Sequence, residues 1–144
     1  MNSFVECYDI FMDVWLIYLW SLIGPMAILL LLRLLAIGIL LEEVFKGSLV
    51  IWLTKVDKRA SVFMAMGIGL AYGFSELVLY SLNYWTAGMY SASLWRLLFT
   101  VPMHGVTTMF WFLGIKLRKV WLGALGALAL HGLFNYLTGF PLLS

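Results

Sequence analysis

Residues 119–138 read KVWLGALGALALHGLFNYLT. Apart from Lys119 at its edge, this stretch carries no charge. A bilayer core ~30 Å thick takes about 20 mostly apolar residues as one helix, so the segment reads as a membrane span. Working back along the chain, three more segments have the same character, at roughly 34–54, 60–84 and 94–115. The whole chain fits this reading. It has 144 residues, 64% of them hydrophobic and 11% charged, with a mean hydropathy of +1.00. A soluble domain carries about 25% charged residues, and a domain this small buries only part of its apolar surface. Soluble globular, disordered, disulfide-rich and nucleic-acid-binding classes are therefore excluded. The lipid bilayer is the partner that the composition implies.

The net charge of +2 is gathered into short clusters, not a broad patch. Cys7 is the single cysteine, which excludes an intramolecular disulfide and a thiolate metal cage. The N-terminus lacks the basic region of a cleavable signal and carries Glu6, Asp9 and Asp13 instead. Insertion by the chain's own spans is the expectation, giving a multi-pass protein of the cell membrane. No repeat or linker divides the chain, so residues 1–144 read as a single membrane-embedded domain.

Three breaks separate the four clear spans. Lys55, Asp57, Lys58 and Arg59 form one basic break, and Lys116, Arg118 and Lys119 form another. The break near 85–93 is uncharged and rich in Ser, Gly, Tyr and Trp. Two helices separate the basic breaks, so both can face the cytoplasm, as the positive-inside rule requires. Two readings fit the first forty residues. One is a full span at about 11–32 with Arg33 at the far interface. The other uses Gly24-Pro25 as a turn between a short acidic helix and one long helix. We favour the first, an all-α bundle of about five spanning helices with a cytoplasmic N-terminus and an external C-terminus. Small residues run along two spans, Gly67, Gly69, Ala71 and Gly73, then Gly123, Ala124, Gly126, Ala127 and Ala129. Such stripes let helix backbones approach closely in lipid.

Ionisable groups inside these spans cost on the order of 2.5–3.5 kcal/mol each by insertion scales, yet they recur. Glu42, Glu43 and Lys46 interrupt the second span, Glu76 lies in the third, His104 in the fourth, and His131 and Asn135 in the fifth. At ~1.5 Å per residue, Glu43 and His104 lie ~15 Å from the outer ends of their helices, Glu76 ~12 Å and His131 ~10 Å. Four helices thus bring polar groups to one level in the outer half of the membrane. Spacing points the same way. Lys46 follows Glu42 by four residues and Glu43 by three, Tyr80 follows Glu76 by four, His104 follows Thr100 by four and Asn135 follows His131 by four. Each pair shares a helix face. Pro102 removes a helical hydrogen bond just before His104, which predicts a bend and a water-accessible cavity there.

Glutamates and histidines in a partly wet, low-dielectric cavity can activate water, with a carboxylate as general base. His104 and Asn135 are then candidate donors to the oxyanion. Alternatively zinc binds to His104, His131 and one glutamate, taken as Glu76, since two imidazoles and a carboxylate form a catalytic ligand set. The HExxH signature is absent. Both routes lead to peptide hydrolysis.

Four segments resemble the PrsW family of intramembrane proteases over residues 40–136. Glu42-Glu43-Val44-Phe45-Lys46 is similar to its EExxK motif. Gly73-Phe74-Ser75-Glu76, continuing to Tyr80, resembles its second motif, with Leu77 where the family usually has Asn. The run from Arg96 through Pro102 to His104 looks like its Arg…Pro-x-His segment, and His131 to Asn135 like its HxxxN ending. The resemblance implies a peptidase that cuts membrane-protein or peptide substrates in or near the bilayer. It implies an active site of Glu42, Glu43, Glu76, His104 and His131 assisted by Asn135, with Lys46, Tyr80 and Arg96 in support. It leaves open whether a metal or a glutamate activates the water, and whether the chain assembles into an oligomer.

Structural roles stand beside these. Lys46 can serve only to neutralise a glutamate, and Arg96 to anchor the outer interface or pair with an acid. Tyr18, Trp20, Tyr84, Trp85, Tyr90, Trp95 and Trp121 read as an aromatic belt. A small proton- or ion-coupled transporter or channel subunit would use the same residue types but stagger them across the bilayer. A non-catalytic scaffold would not need two acidic helices facing two histidines.

Overall fold

The computed structural model describes residues 2–32 and 38–138, with side chains outside 2–8, 28–32 and 92. In chain order the helices are α1 (Asn2–Leu32), α2 (Gly38–Val56), α3 (Val62–Thr86), the short α4 (Tyr90–Trp95), α5 (Val101–Lys116) and α6 (Val120–Thr138). A π-helical turn, Arg96–Thr100, runs directly into α5. No strand occurs among the described residues, and the architecture is an all-α bundle.

Four stretches are long and apolar enough to cross a membrane: Asp9–Ala27, Val62–Thr86, Ser93–Lys116 and Val120–Thr138. These fit a multi-pass membrane protein. The remaining long helix, α2, has 19 residues, ~28 Å at the α-helical rise. Its Glu42, Glu43, Lys46 and Lys55 set it apart from the other four. It is placed centrally, in contact with α1, α3, α5 and α6, and its Glu43 and Lys46 are fully buried. The bundle thus shields the charges of its least apolar helix from lipid.

Two expectations for the first forty residues meet different outcomes. The turn at Gly24-Pro25 does not form, because α1 continues through Pro25 as one helix. Within an apolar bundle a neighbouring helix can compensate for the missing amide of a proline. Gly24 meets that neighbour directly, since a Cβ there would lie 2.2 Å from the Phe45 ring of α2. The Gly-Pro pair permits a close helix approach in place of a chain reversal. Arg33, expected at the far interface, lies outside the described residues, as does the start of the second predicted span.

Hydroxyls clip α1 onto α3. Tyr18 Oη donates to the Met64 carbonyl at 3.0 Å and Ser21 Oγ to the Ile68 carbonyl at 2.5 Å. Ser75 Oγ returns a bond to the Leu22 carbonyl. The ends of α3 and α5 close in the same way. Gly88 (φ 71°) and Arg118 (φ 55°) adopt the left-handed conformation. The amides of Met89 and Lys119 then reach back to the Tyr84 and Gly114 carbonyls at 2.7 and 2.8 Å. This is the bond pattern that satisfies orphan carbonyls at helix C-termini.

Small residues set the α5–α6 contact. A Cβ on Gly123 would lie 2.6 Å from the Phe110 carbonyl, and one on Gly114 would lie 2.8 Å from the Gly123 Cα. Gly132 on the same helix has open space around it. Gly123→Val is expected to lower stability in detergent by ~1–3 kcal/mol through overpacking. Gly132→Ala should be neutral or gain up to ~1 kcal/mol from helix propensity. Thermal unfolding followed by circular dichroism checks both, and equal effects would contradict the packing described.

Candidate functional site

Six ionisable side chains from four segments meet inside the bundle. Helix α2 supplies Glu42, Glu43 and Lys46, α3 supplies Glu76, α5 supplies His104 and α6 supplies His131. The two imidazoles lie edge to face with ring centroids 5.2 Å apart. The polar level inferred from residue counts is therefore one contiguous cluster.

Glu43 occupies its centre. Its Oε1 accepts from Lys46 Nζ at 2.5 Å and pairs with His131 Nδ1 at 2.7 Å, and its Oε2 accepts from Trp111 Nε1 at 3.2 Å. Lys46 also reaches His104 Nδ1 at 2.9 Å and Thr107 Oγ1 at 2.8 Å. On the far side of the imidazole, His104 Nε2 meets Glu76 Oε2 at 2.7 Å. The other oxygen of Glu76 accepts from Arg96 Nη1 at 2.9 Å. Arg96 Nε donates to Tyr84 Oη at 2.9 Å, and the guanidinium lies 3.9 Å over the Tyr80 ring.

Glu42 stands at the edge. Its Oε2 is 3.8 Å from His131 Nε2, beyond hydrogen-bond distance, and among the described residues its carboxylate accepts no hydrogen bond. Exposure follows the same division. The side chains of Glu43, Lys46 and His104 are fully buried, whereas Glu42 is 15% and Glu76 13% exposed. The cluster is thus sealed behind Lys46 and open on the side of Glu42 and Glu76.

The backbone explains how α5 delivers its groups. In the π-helical turn the Val101 amide bonds to the Arg96 carbonyl, five residues back. In a regular α-helix, Arg96 would lie ~80° around the axis from His104, eight residues away. A π turn absorbs one extra residue, which cuts the offset to ~20° and lets both side chains grip Glu76. Pro102 follows at once, where its lack of an amide proton favours such a break. A π-helical turn, rather than a simple loss of one α-helical bond, thus stands just before Pro102. Helix α3 makes room with two glycines. A Cβ on Gly69 would lie 2.1 Å from the His104 carbonyl, and one on Gly73 2.9 Å from the His104 ring.

Several side chains in the cluster had no role in the sequence reading. Thr107 and Trp111, three and seven residues after His104, lie on its helix face, a spacing that was available as a signal. Tyr72 is buried with its ring 5.3 Å from that of His104. Tyr84, read in the sequence as part of an aromatic belt, also accepts a bond from Arg96, and Arg96 pairs with an acid. Asn135 lies one turn beyond His131, half-buried, and no hydrogen bond joins it to the cluster among the described residues. Thr100, one turn before His104, is buried with an unpartnered hydroxyl.

A metal needs several free donor atoms at one point. Glu42, His104 and His131 each offer one, all within 4.8 Å of one another. Glu76, expected in that set, instead joins His104 to Arg96. The spacing of the three donors suits a cation, but their present bonding does not. Both nitrogens of His104 already face charged groups, Lys46 and Glu76, which leaves free lone pairs only on Glu42 and His131 Nε2.

Trp111→Phe keeps the aromatic ring and deletes a donor to the buried Glu43 carboxylate. Its expected cost is ~1–3 kcal/mol in unfolding free energy. Trp121→Phe, at a position 63% exposed, serves as the control that should change nothing.

Compared with protein-family models, with curated proteins and with solved structures, the chain has no match.

Proposed function

We propose that this protein is an intramembrane peptidase in which Glu42 activates a water molecule. One observation carries the reading: of three convergent glutamates, two accept hydrogen bonds on both oxygens from cations, imidazoles and an indole, and the third accepts none, at the open edge 3.8 Å from an imidazole nitrogen. A water between Glu42 and His131 Nε2 can donate to both. Glu42 removes a proton from it as the oxygen attacks the scissile carbonyl carbon. The carbonyl π electrons move onto oxygen, which the amide NH₂ of Asn135, free of bonds to the cluster, is placed in sequence to approach. Collapse of the adduct breaks the C–N bond, and the proton held by Glu42 passes to the leaving amine. Glu43, anchored by Lys46, fixes the His131 ring through Nδ1, so that Nε2 faces the water.

The resemblance to PrsW-type proteases supports the same class of substrate, a membrane-protein or peptide segment presented in the bilayer. No step is drawn through zinc, because both nitrogens of His104, one of the three donors, already face charged groups. A second reading draws on the bonded series Arg96–Glu76–His104–Lys46–Glu43–His131, which ends near Glu42. Such a string also suits a proton- or ion-coupled carrier.

The test uses the full chain in proteoliposomes with a library of single-span peptides, and mass spectrometry to read cleavage. Glu42→Gln should lower turnover by ~10²–10⁴-fold, the usual loss of an acid–base group. Glu76→Gln and His104→Ala should each lower it by disturbing the bonded series that ends near Glu42, with membrane insertion unchanged in all three. Cutting by all three variants would defeat the assignment, and ion flux without cleavage would favour the carrier. Cleavage should also survive chelation. Loss on chelation with recovery on zinc add-back would return the metal to the mechanism.

A further inference from the structure

Lys46 is fully buried, and its ammonium has three protons and three acceptors. These are Glu43 Oε1 at 2.5 Å, Thr107 Oγ1 at 2.8 Å and His104 Nδ1 at 2.9 Å. The Thr107 hydroxyl is oriented in turn, since it donates to the His104 carbonyl at 3.0 Å and so turns a lone pair to Lys46. An ammonium has no acceptor site. Whatever nitrogen it touches must present a lone pair.

We infer that Lys46 is a positioning residue that fixes the tautomer of His104, holding its proton on Nε2 and aiming that N–H at Glu76. The assignment rests on the bond inventory. With Nδ1 accepting from Lys46, the neutral ring carries its hydrogen on Nε2, where Glu76 Oε2 accepts it at 2.7 Å. The opposite tautomer sets an N–H against an ammonium at 2.9 Å and leaves two lone pairs facing each other at Glu76. Both contacts turn from attraction to repulsion. The ring is also wedged in place. Tyr72 packs 5.3 Å from it and Gly73 lies against its edge, and a ring flip, which swaps Nδ1 with Cδ2 and Nε2 with Cε1, would break the bonds to both Lys46 and Glu76.

The inference deepens the proposed peptidase reading and rests on it only for its consequence. In this tautomer His104 acts as a donor that holds Glu76 and cannot serve as a base through Nδ1, which leaves Glu42 to take the proton from water. Lysine at position 46 does more than balance charge. A residue of equal charge without an N–H aimed at Nδ1 would not fulfil its role.

The chain has two histidines, so ¹⁵N-histidine labelling of the full protein in nanodiscs gives the signals of two rings only. In the unmodified protein, His104 is expected to show an unprotonated Nδ1 and a protonated Nε2. Lys46→Met should shift His104 toward the Nδ1–H form and lower kcat by ~10²-fold or more, as loss of the correct tautomer does elsewhere, with KM changed less than twofold. Lys46→Arg, which restores an N–H donor, should recover the Nε2–H signal. A protonated Nδ1 in the unmodified protein would overturn the inference, as would an unshifted His104 in a folded Lys46→Met variant. Should Lys46→Met not fold, the unmodified spectrum and Lys46→Arg still decide. The spectra are independent of cleavage, so a protein with the expected tautomer and no peptidase activity would sink only the peptidase reading.

Discussion

The bond between Lys46 and Glu43, 2.5 Å long with both side chains fully buried, is the constraint around which the bundle is organised. Each ion withdrawn from water costs several kcal/mol, and a close partner recovers that cost only when the remaining protons and lone pairs are also satisfied. Neither residue can find those partners on α2 alone. Thr107, His104 and Trp111 come from α5 and His131 from α6. The ion pair therefore dictates that α2 lie where α5 and α6 can both reach it. A helix with four charges is placed centrally while its apolar neighbours face outward, the arrangement that keeps charge away from lipid.

Close approach then depends on what is missing from the neighbours. A Cβ on Gly47 would meet the Trp111 ring at 2.7 Å, on the turn that follows Lys46. Gly69 and Gly73 do the same for His104 on the α3 side, and Gly114 with Gly123 for the crossing that carries His131. In lipid the hydrophobic effect gives helices little reason to associate, and contact between small residues replaces it. The stripes noted in the sequence as packing devices thus also position the site, because the residues they admit are the histidines and their supports.

Much of this was legible from the chain. The five long helical segments, the approximate ends of α3 and α6, and the convergence of Glu43, Glu76, His104 and His131 follow from apolar run lengths and a fixed rise per residue. The division of the 94–115 segment into α4, a π turn and α5 does not. Direction around each helix did not follow. Depth counting placed Glu43 and Glu76 beside the histidines but could not say which oxygens face which ring: Glu76 bridges Arg96 and His104, and Glu42 shares the 4.8 Å donor group with both rings. The π-helical turn adds to this, since it rotates Arg96 relative to His104 by a step that α-helical counting cannot anticipate. The turn reading of Gly24-Pro25, the alternative not favoured, fails for a related reason. Local turn preference was correct for a chain in water, but here a neighbouring ring at the glycine holds the helix through the proline.

The tandem glutamates acquire a physical reason from the same geometry. Adjacent residues on a helix project ~100° apart, so Glu42 and Glu43 cannot share one environment. Lys46 stands three residues from one and four from the other, and either spacing permits an ion pair. The structure uses the shorter, and Glu43 is consumed as an anchor for Lys46, Trp111 and His131. That choice leaves Glu42 unengaged beside the ring that Glu43 orients. A single glutamate would serve both ends poorly, because a carboxylate held by a cation, an imidazole and an indole is a weak acceptor for a proton from water. One acid is spent to place the histidine, and its neighbour is thereby kept free beside it.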